Sequence, residues 1–185
     1  MGDGGHTLFD TAIGVCGIAW GQGGVVAVQL PEADAARTRA RLLVGLPPLP
    51  ELSPPPATVQ AAIEGIQALL MGEARDLREV PLDMTRLTPF QREVYAMARA
   101  IPPGQTRTYG EMAQALGDAG LARAVGQALG HNPFAPVVPC HRVLAAGARS
   151  GGFSARGGVA TKLRMLQIEG AQIGGEPGLF DGDGA

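Results

Sequence analysis

Between Leu46 and Pro56 prolines crowd together so closely that neither a helix nor an interior strand can run through the segment. It must be an irregular connection, and whatever folds around it is assembled from short pieces. Before it, Thr7–Asp10, Gly14–Trp20 and Val25–Leu30 read as strands. Gly21-Gln22-Gly23-Gly24 separates the last two as a hairpin. Asp34–Val44 reads as a helix. After the prolines, Ala57–Met71 carries Val59, Ile63, Ile66 and Leu70 at helical spacing, and Leu77–Asp83 is expected to return as a strand.

From Thr88 the pattern turns helical. Thr88 as N-cap, Pro89 behind it and Gln91 three residues on make a capping box. Phe90, Val94, Met97 and Ile101 then share one face until Pro102-Pro103-Gly104 stops the run. Thr108 and Glu111 repeat the capping signal and open a helix over Tyr109–Leu116. Gly117–Gly120 is a turn, and Leu121–Leu129 is the next helix, burying Leu121, Val125 and Leu129. Two short helices about a Gly-containing turn form a helix-turn-helix. That inward face leaves Ala122, Arg123, Gly126 and Gln127 towards solvent, a small-residue surface with one arginine that suits a narrow groove. Residues 145–158, rich in Gly, Ala and Ser, read as a mobile loop. Val159, Leu163 and Leu166 line a last helix ending near Glu169, and the Gly-rich tail 170–185 is expected to be poorly ordered.

The 185 residues carry a formal net charge of −2, which disguises a division. Residues 1–88 hold six arginines against ten acids, residues 89–170 hold nine bases against four acids, and residues 171–185 hold three acids alone. Polyphosphates respond to local positive charge, so the middle segment is the candidate nucleic-acid face. No apolar run is long enough to span a bilayer and the first residues lack a secretory signal, so a reducing cytoplasm is expected. Two cysteines make no disulfide framework.

One of those cysteines carries the chemistry. In Pro139-Cys140-His141-Arg142-Val143 a thiol and an imidazole are adjacent in a chain with only three histidines. A thiol attacks as thiolate and needs a base or a positive field beside it. His141 can supply the base and Glu169 can orient the imidazole. A bare Cys-His pair is more often a buried thiol beside a satisfied core histidine. The wider context decides against that.

Thr108-Tyr109-Gly110, Ala122-Arg123-Ala124-Val125-Gly126, Asn132-Pro133, the Pro-Cys-His-Arg-Val core, Gly151-Gly152-Phe153-Ser154 and Gln167-Ile168-Glu169-Gly170 follow one another in order. Together they resemble the O6-alkylguanine-DNA alkyltransferases, closely from about Thr88 to Gly170 and loosely from Thr7 to Asp83. The resemblance implies an α/β (α+β) two-domain fold. Residues 1–83 would form a ribonuclease-H-like domain with a small sheet and helices. Residues 84–170 would form a mainly helical alkyl-acceptor domain with a winged helix-turn-helix, and 171–185 a flexible acidic tail. It implies direct-reversal repair, with the alkyl group of O6-alkylguanine (and O4-alkylthymine as a further candidate) moved irreversibly to Cys140 after the nucleotide is flipped out.

The implied roles fall on Cys140 as nucleophile, His141 as base acting through a water, and Glu169 as its orienter. Asn132 bridges the pocket segments and Tyr109 donates a proton to the guanine ring. The helix bearing Ala122, Arg123, Gly126 and Gln127 enters the minor groove, with Arg123 filling the vacated stack and Thr108 and Tyr109 beside it. Tyr109, Pro136, Val143, Phe153 and Ser154 line the base pocket. Phe153 stands where tyrosine is common, and the loop 147–158 differs in length from some relatives. The implied partner is double-stranded DNA bearing alkylated bases, bound by a monomer in a bacterial cytoplasm at the nucleoid, without cofactor, metal or membrane.

The Cys/His set of a structural zinc is missing, and neither His6, near a disordered end, nor His131 belongs to a ligand cluster. Cys16 reads as a small buried residue, and Asp76, Glu79 and Asp83 as a solvated edge. A lesion sensor that flips without repairing would lack Cys140. A cysteine hydrolase would need a distant histidine and an oxyanion loop.

Overall fold

The computed structural model describes residues 3–146 and 158–172. Strands β1 (Gly5–Thr11), β2 (Gly14–Gly21) and β3 (Gly24–Gln29) form an antiparallel sheet in the order β1-β2-β3. Helix α1 (Ala35–Leu42) follows, then the proline-rich connection, then α2 (Ala57–Leu70). Both sheet edges are covered. Pro50 and Leu52 bond either side of His6 on β1, and Pro81 and Asp83 bond either side of Val25 on β3. Gly24 lies at φ +126°, and a Cβ there would stand 2.7 Å from the Pro81 carbonyl, so only glycine lets this edge close.

The second half contains α3 (Pro89–Arg99), the two-residue strand β4 (Arg107–Thr108), α4 (Tyr109–Ala115), α5 (Ala122–Gly130), β5 (Val143–Leu144) and α6 (Val159–Ile168). Both capping boxes form in full, Thr88 with Gln91 and Thr108 with Glu111. A one-turn 3₁₀ segment, Ala119–Leu121, joins α4 to α5. Strand β4 pairs in parallel with β5, which ties the start of α4 to the residues after Cys140. One apolar cluster runs from Phe9 and Trp20 through Ile66, Val94 and Phe134 to Met165, so both halves share a core. A bond from the Val28 amide on β3 to the Pro133 carbonyl (2.8 Å) joins the sheet to the Asn132 turn.

Four expectations need correction. Leu77–Asp83 is not a strand. Leu77 turns the chain at φ +55°, Pro81 has no N–H to extend a ladder, and only Leu82 bridges to Val25. Asp83 instead caps a turn, its carboxylate accepting the Thr85 amide and hydroxyl. His6 is no loose end, because β1 is paired along its length and the ring is buried, with Nδ1 2.8 Å from the Leu49 carbonyl. On α5, Val125, Ala128 and Leu129 are buried whereas Leu121 is only half-buried. Ala122 and Gly126 are half-buried too, leaving Arg123 and Gln127 exposed. On α6 the buried face is Lys162, Met165 and Leu166, and Val159 is exposed. The expected mobile loop at 145–158 and the tail 170–185 lie largely outside the described residues.

The 77–80 turn is held from α3. Arg99 Nη2 donates to the carbonyls of Leu77, Arg78 and Val80 at 3.0, 2.9 and 3.1 Å. Replacing it by methionine keeps the stem and strands these acceptors. Arg99→Met should lower unfolding stability by about 2 kcal/mol, as read from urea denaturation, the scale of lost charge-assisted bonds.

Candidate active site

Pro139 leads into a 3₁₀ turn, Cys140–Arg142, that packs against α6. Cys140 is 7% exposed, and His141 and Arg142 are sealed from solvent. Glu169, the C-cap of α6, is the anchor. Arg142 grips its carboxylate with two bonds, Nε to Oε2 at 2.9 Å and Nη2 to Oε1 at 2.8 Å, and turns Nη1 to the Ile101 carbonyl at 2.8 Å. His141 Nε2 lies 2.7 Å from Oε1. Burial pushes the Glu169 carboxyl up, but the bonds from His141 and Arg142 outweigh it and hold it down at about 2. Glu169 is therefore ionised at neutral pH and can only accept. Nε2 of His141 must carry its hydrogen, and Nδ1, buried without a partner among the described residues, keeps the lone pair. Burial also lowers the His141 pKa, so the ring rests neutral and basic at Nδ1.

Burial raises the Cys140 thiol above its ordinary value, while the Asn132 amide, the Lys162 ammonium and the backbone N–H groups of Cys140 and His141 pull it back. Asn132 Nδ2 donates to the Val138 carbonyl at 2.7 Å and its Oδ1 accepts the Phe134 amide at 2.9 Å. The two bonds span the residues leading to Cys140. Tyr109, the first residue of α4, is half-buried. Burial first and the neighbouring Cys140 second raise its pKa, so its hydroxyl stays protonated.

Lys162 was not singled out in the sequence. It is fully buried, donates to the Val143 carbonyl at 2.7 Å and lies 5.8 Å from the Tyr109 ring centroid. The available signal was its being the chain's single lysine, standing among the apolar positions of a helix. Arg142 was read as part of a motif and not as the clamp on Glu169. Of the groove-facing candidates, Arg123 and Gln127 are exposed, whereas Ala122 packs on the core and Gly126 faces the Tyr109 ring. Thr108 spends its hydroxyl capping α4. Pro136 and Val143 are buried near Cys140 in the chain. Phe153 and Ser154 lie outside the described residues. A cavity of about 340 Å³ opens elsewhere, behind the Asn132 turn, between Trp20, Leu46, Leu87 and Phe134.

The buried acid and histidine set a pH response. Glu169 has its folded pKa depressed from 4.5 to about 2, so its stabilisation, on the order of 3 kcal/mol, is complete above pH 4.5 and lost as pH falls to 2. His141, also depressed, adds a loss that begins below its unfolded value near 6.5. Unfolding free energy should therefore fall with acid from about pH 6.5 downward. Glu169→Gln should flatten the part between 4.5 and 2, as measured by denaturant titration across pH.

The model of the family described as 6-O-methylguanine DNA methyltransferase, DNA binding domain, matches residues 89–171. The methylated-DNA–protein-cysteine methyltransferase of Methanothermobacter thermautotrophicus is 34% identical over 171 residues, 92% of this chain and 85% of that protein. The Mycobacterium tuberculosis protein of the same name is 40% identical over 129 residues, 70% and 76% of the two chains. Among solved structures, Mycobacterium tuberculosis OGT in complex with DNA superposes with a TM-score of 0.69 at 34% identity, covering 89% of this chain and 92% of that one. The O6-methylguanine-DNA methyltransferase of Pyrococcus kodakaraensis gives 0.68 at 27% identity, with 90% and 99% covered. On these likenesses, and with a cysteine and a carboxylate-held histidine side by side in its second half, the chain belongs to the methylated-DNA–protein-cysteine methyltransferase family.

Proposed function

We propose that this protein repairs alkylated double-stranded DNA by direct reversal, taking the methyl group of O6-methylguanine irreversibly onto Cys140 in a single turnover. The observation that carries the reading is the His141 tautomer. An ionised, Arg142-clamped Glu169 occupies Nε2 and leaves Nδ1 basic on the residue that follows the buried Cys140. In the reaction the Cys140 proton passes to Nδ1, through a bridging water. Sulfur then bonds the methyl carbon as the carbon–O6 bond breaks, and the electron pair stays on guanine. Tyr109 donates a hydrogen bond to the base as that charge develops. The Lys162 ammonium supports the thiolate by its charge.

The base must leave the stack for its O6 substituent to meet a thiol this deep. Exposed Arg123 on α5 is assigned to fill the vacated place, with Gln127 beside it and the half-buried Ala122 and Gly126 allowing close approach. Thr108 acts by capping the helix that carries Tyr109. Pro136 and Val143, with Phe153 and Ser154, are assigned to the base pocket. The architecture is read as a ribonuclease-H-like domain over 1–83, a winged helix-turn-helix acceptor domain over 84–170, and a tail over 171–185. The apolar cluster includes residues from both 1–83 and 84–170. Among the described residues no helix is long and apolar enough to cross a membrane.

Two experiments test the reading. Intact mass after mixing with a duplex containing O6-methylguanine should rise by one methyl group per protein molecule, mapped to Cys140. Cys140→Ala should bind the duplex and gain nothing. Turnover that leaves the protein unmodified would refute the single-use mechanism. Arg123→Ala should slow transfer from duplex about tenfold or more and leave the single-turnover rate with free O6-benzylguanine unchanged, because the free base needs no extrusion. Equal losses on both would remove Arg123 from that role.

A further inference from the structure

Helix α5 ends at Gly130, so its last carbonyls lack helical partners. Gln127 O is met by the His131 amide and ring, and Leu129 O by the Asn132 amide. The Ala128 carbonyl is buried and is met from another helix. Tyr95 of α3, itself fully buried, donates its hydroxyl to it at 2.7 Å. The same ring stands edge-on to Phe134, with centroids 6.5 Å apart and planes at 90°. Phe134 is the residue whose amide bonds Asn132 Oδ1. Tyr95 thus grips both ends of a short stretch, Ala128 to Phe134, with Asn132 in its middle.

We propose that Tyr95 is a positioning residue that holds the Asn132 amide against Cys140. By capping α5 and bracing Phe134 together, it fixes the turn from which Asn132 reaches Val138 and the thiol. Without the hydroxyl, the Ala128 carbonyl loses its cap and the α5 end can shift relative to Phe134. The amide then moves off the thiolate it favours. Tyr95 does not act through its own charge, because burial first and Cys140 second keep its hydroxyl protonated across the working range. Of the other titratable groups around Cys140, Tyr109 belongs to α4, Lys162 on α6 is bonded to the Val143 carbonyl and adjacent His141 is bonded to Glu169, so all three stay in place in the variants below.

The inference rests on the alkyl-transfer reading only where transfer is the readout, so the primary test avoids it. The full chain is treated with iodoacetamide across pH 6–10, and modification of Cys140 is followed by peptide mass. Tyr95→Phe should move the profile upward by roughly half to one pH unit and slow reaction at pH 7 about fivefold, the worth of one hydrogen bond. Phe134→Leu, which removes the bracing edge by another route, should move it in the same direction. In an Asn132→Ala background Tyr95→Phe should add no further shift, since both changes remove one interaction. An unchanged profile in both single variants overturns the proposal, as would a Tyr95→Phe shift that persists in full without Asn132. A lowered melting temperature with an unmoved profile would mark Tyr95 as a packing residue and also overturn it. If the shifts appear but wild type takes no methyl group from DNA, Tyr95's role stands and the alkyl-transfer reading falls.

Discussion

The site depends on a buried carboxylate. Glu169 keeps only 3% of its side chain in water, and removing such a charge from solvent costs several kcal/mol unless its oxygens are fully partnered. Here they are. Oε1 takes Arg142 and His141, Oε2 takes Arg142 again, and the Gly104 amide stands 3.5 Å from Oε2. Buried ion pairs add little net stability relative to apolar packing, so their value lies in geometry. This one pins the end of α6 to the Cys140–Arg142 turn and, through Ile101, to the end of α3. The same bonds dictate which imidazole nitrogen holds a proton. A structural constraint and a chemical one are satisfied by one group of atoms.

The two cysteines give an internal control on what activates a thiol. Both are buried. Cys16 has only the Thr11 hydroxyl, 3.7 Å from its sulfur, to offset desolvation, and its pKa is driven up to about 12. Cys140, slightly more exposed than Cys16, is met by an amide, an ammonium and two backbone N–H groups. Burial alone makes an inert thiol, and it is directed donors that make a usable one. Keeping Cys140 protonated at rest also protects it from oxidation, which matters for a residue that can be used once.

The sequence made the fold's local signals legible where they were local in cause. Both capping boxes, the β2–β3 hairpin and the helix face of α2 follow from spacing and from Thr, Pro and Gly chemistry, whereas on α3 the buried face is Val94, Tyr95 and Ala98, with Phe90 and Met97 only half-buried. The failures share a different cause. Leu77–Asp83 has an apolar pattern, but Pro81 and the Leu77 turn limit it to one bridge, and Arg99 from α3 holds it by its carbonyls. His6 is paired with β2, and its ring is held by a carbonyl of the proline-rich connection more than forty residues away, which no local rule anticipates. Lys162 was hidden by its own polarity, since an amphipathic reading sends lysine to solvent. Among the described residues the Val143 carbonyl and the Tyr109 ring, brought in by tertiary packing, help make its burial tolerable. The order of motifs pointed to Cys140, His141 and Glu169. The clamp and the tautomer needed coordinates.

Gly126 bears on why α5 looks as it does. Glycine inside a helix costs about 1 kcal/mol relative to alanine. Internal packing does not demand it, because a Cβ there would touch the Tyr109 ring at 3.8 Å, an ordinary contact. The position lies between exposed Arg123 and Gln127 on one side and the aromatic ring over Lys162 on the other. A helix that gives up stability at such a place keeps its backbone low where the outer face meets the Tyr109 ring. Space that the free protein does not need is space for something that approaches from outside. On the function proposed above, that something is a duplex pressed on α5 with one nucleotide turned towards Tyr109. The acidic first half does not oppose this, since the nine bases of residues 89–170 belong to the segment that contains α5, while the excess of acids lies mostly in the segment built around the sheet. Net charge, taken over the whole chain, averages two segments of opposite sign, and it also counts Arg142 and Lys162, which are buried and reach no surface.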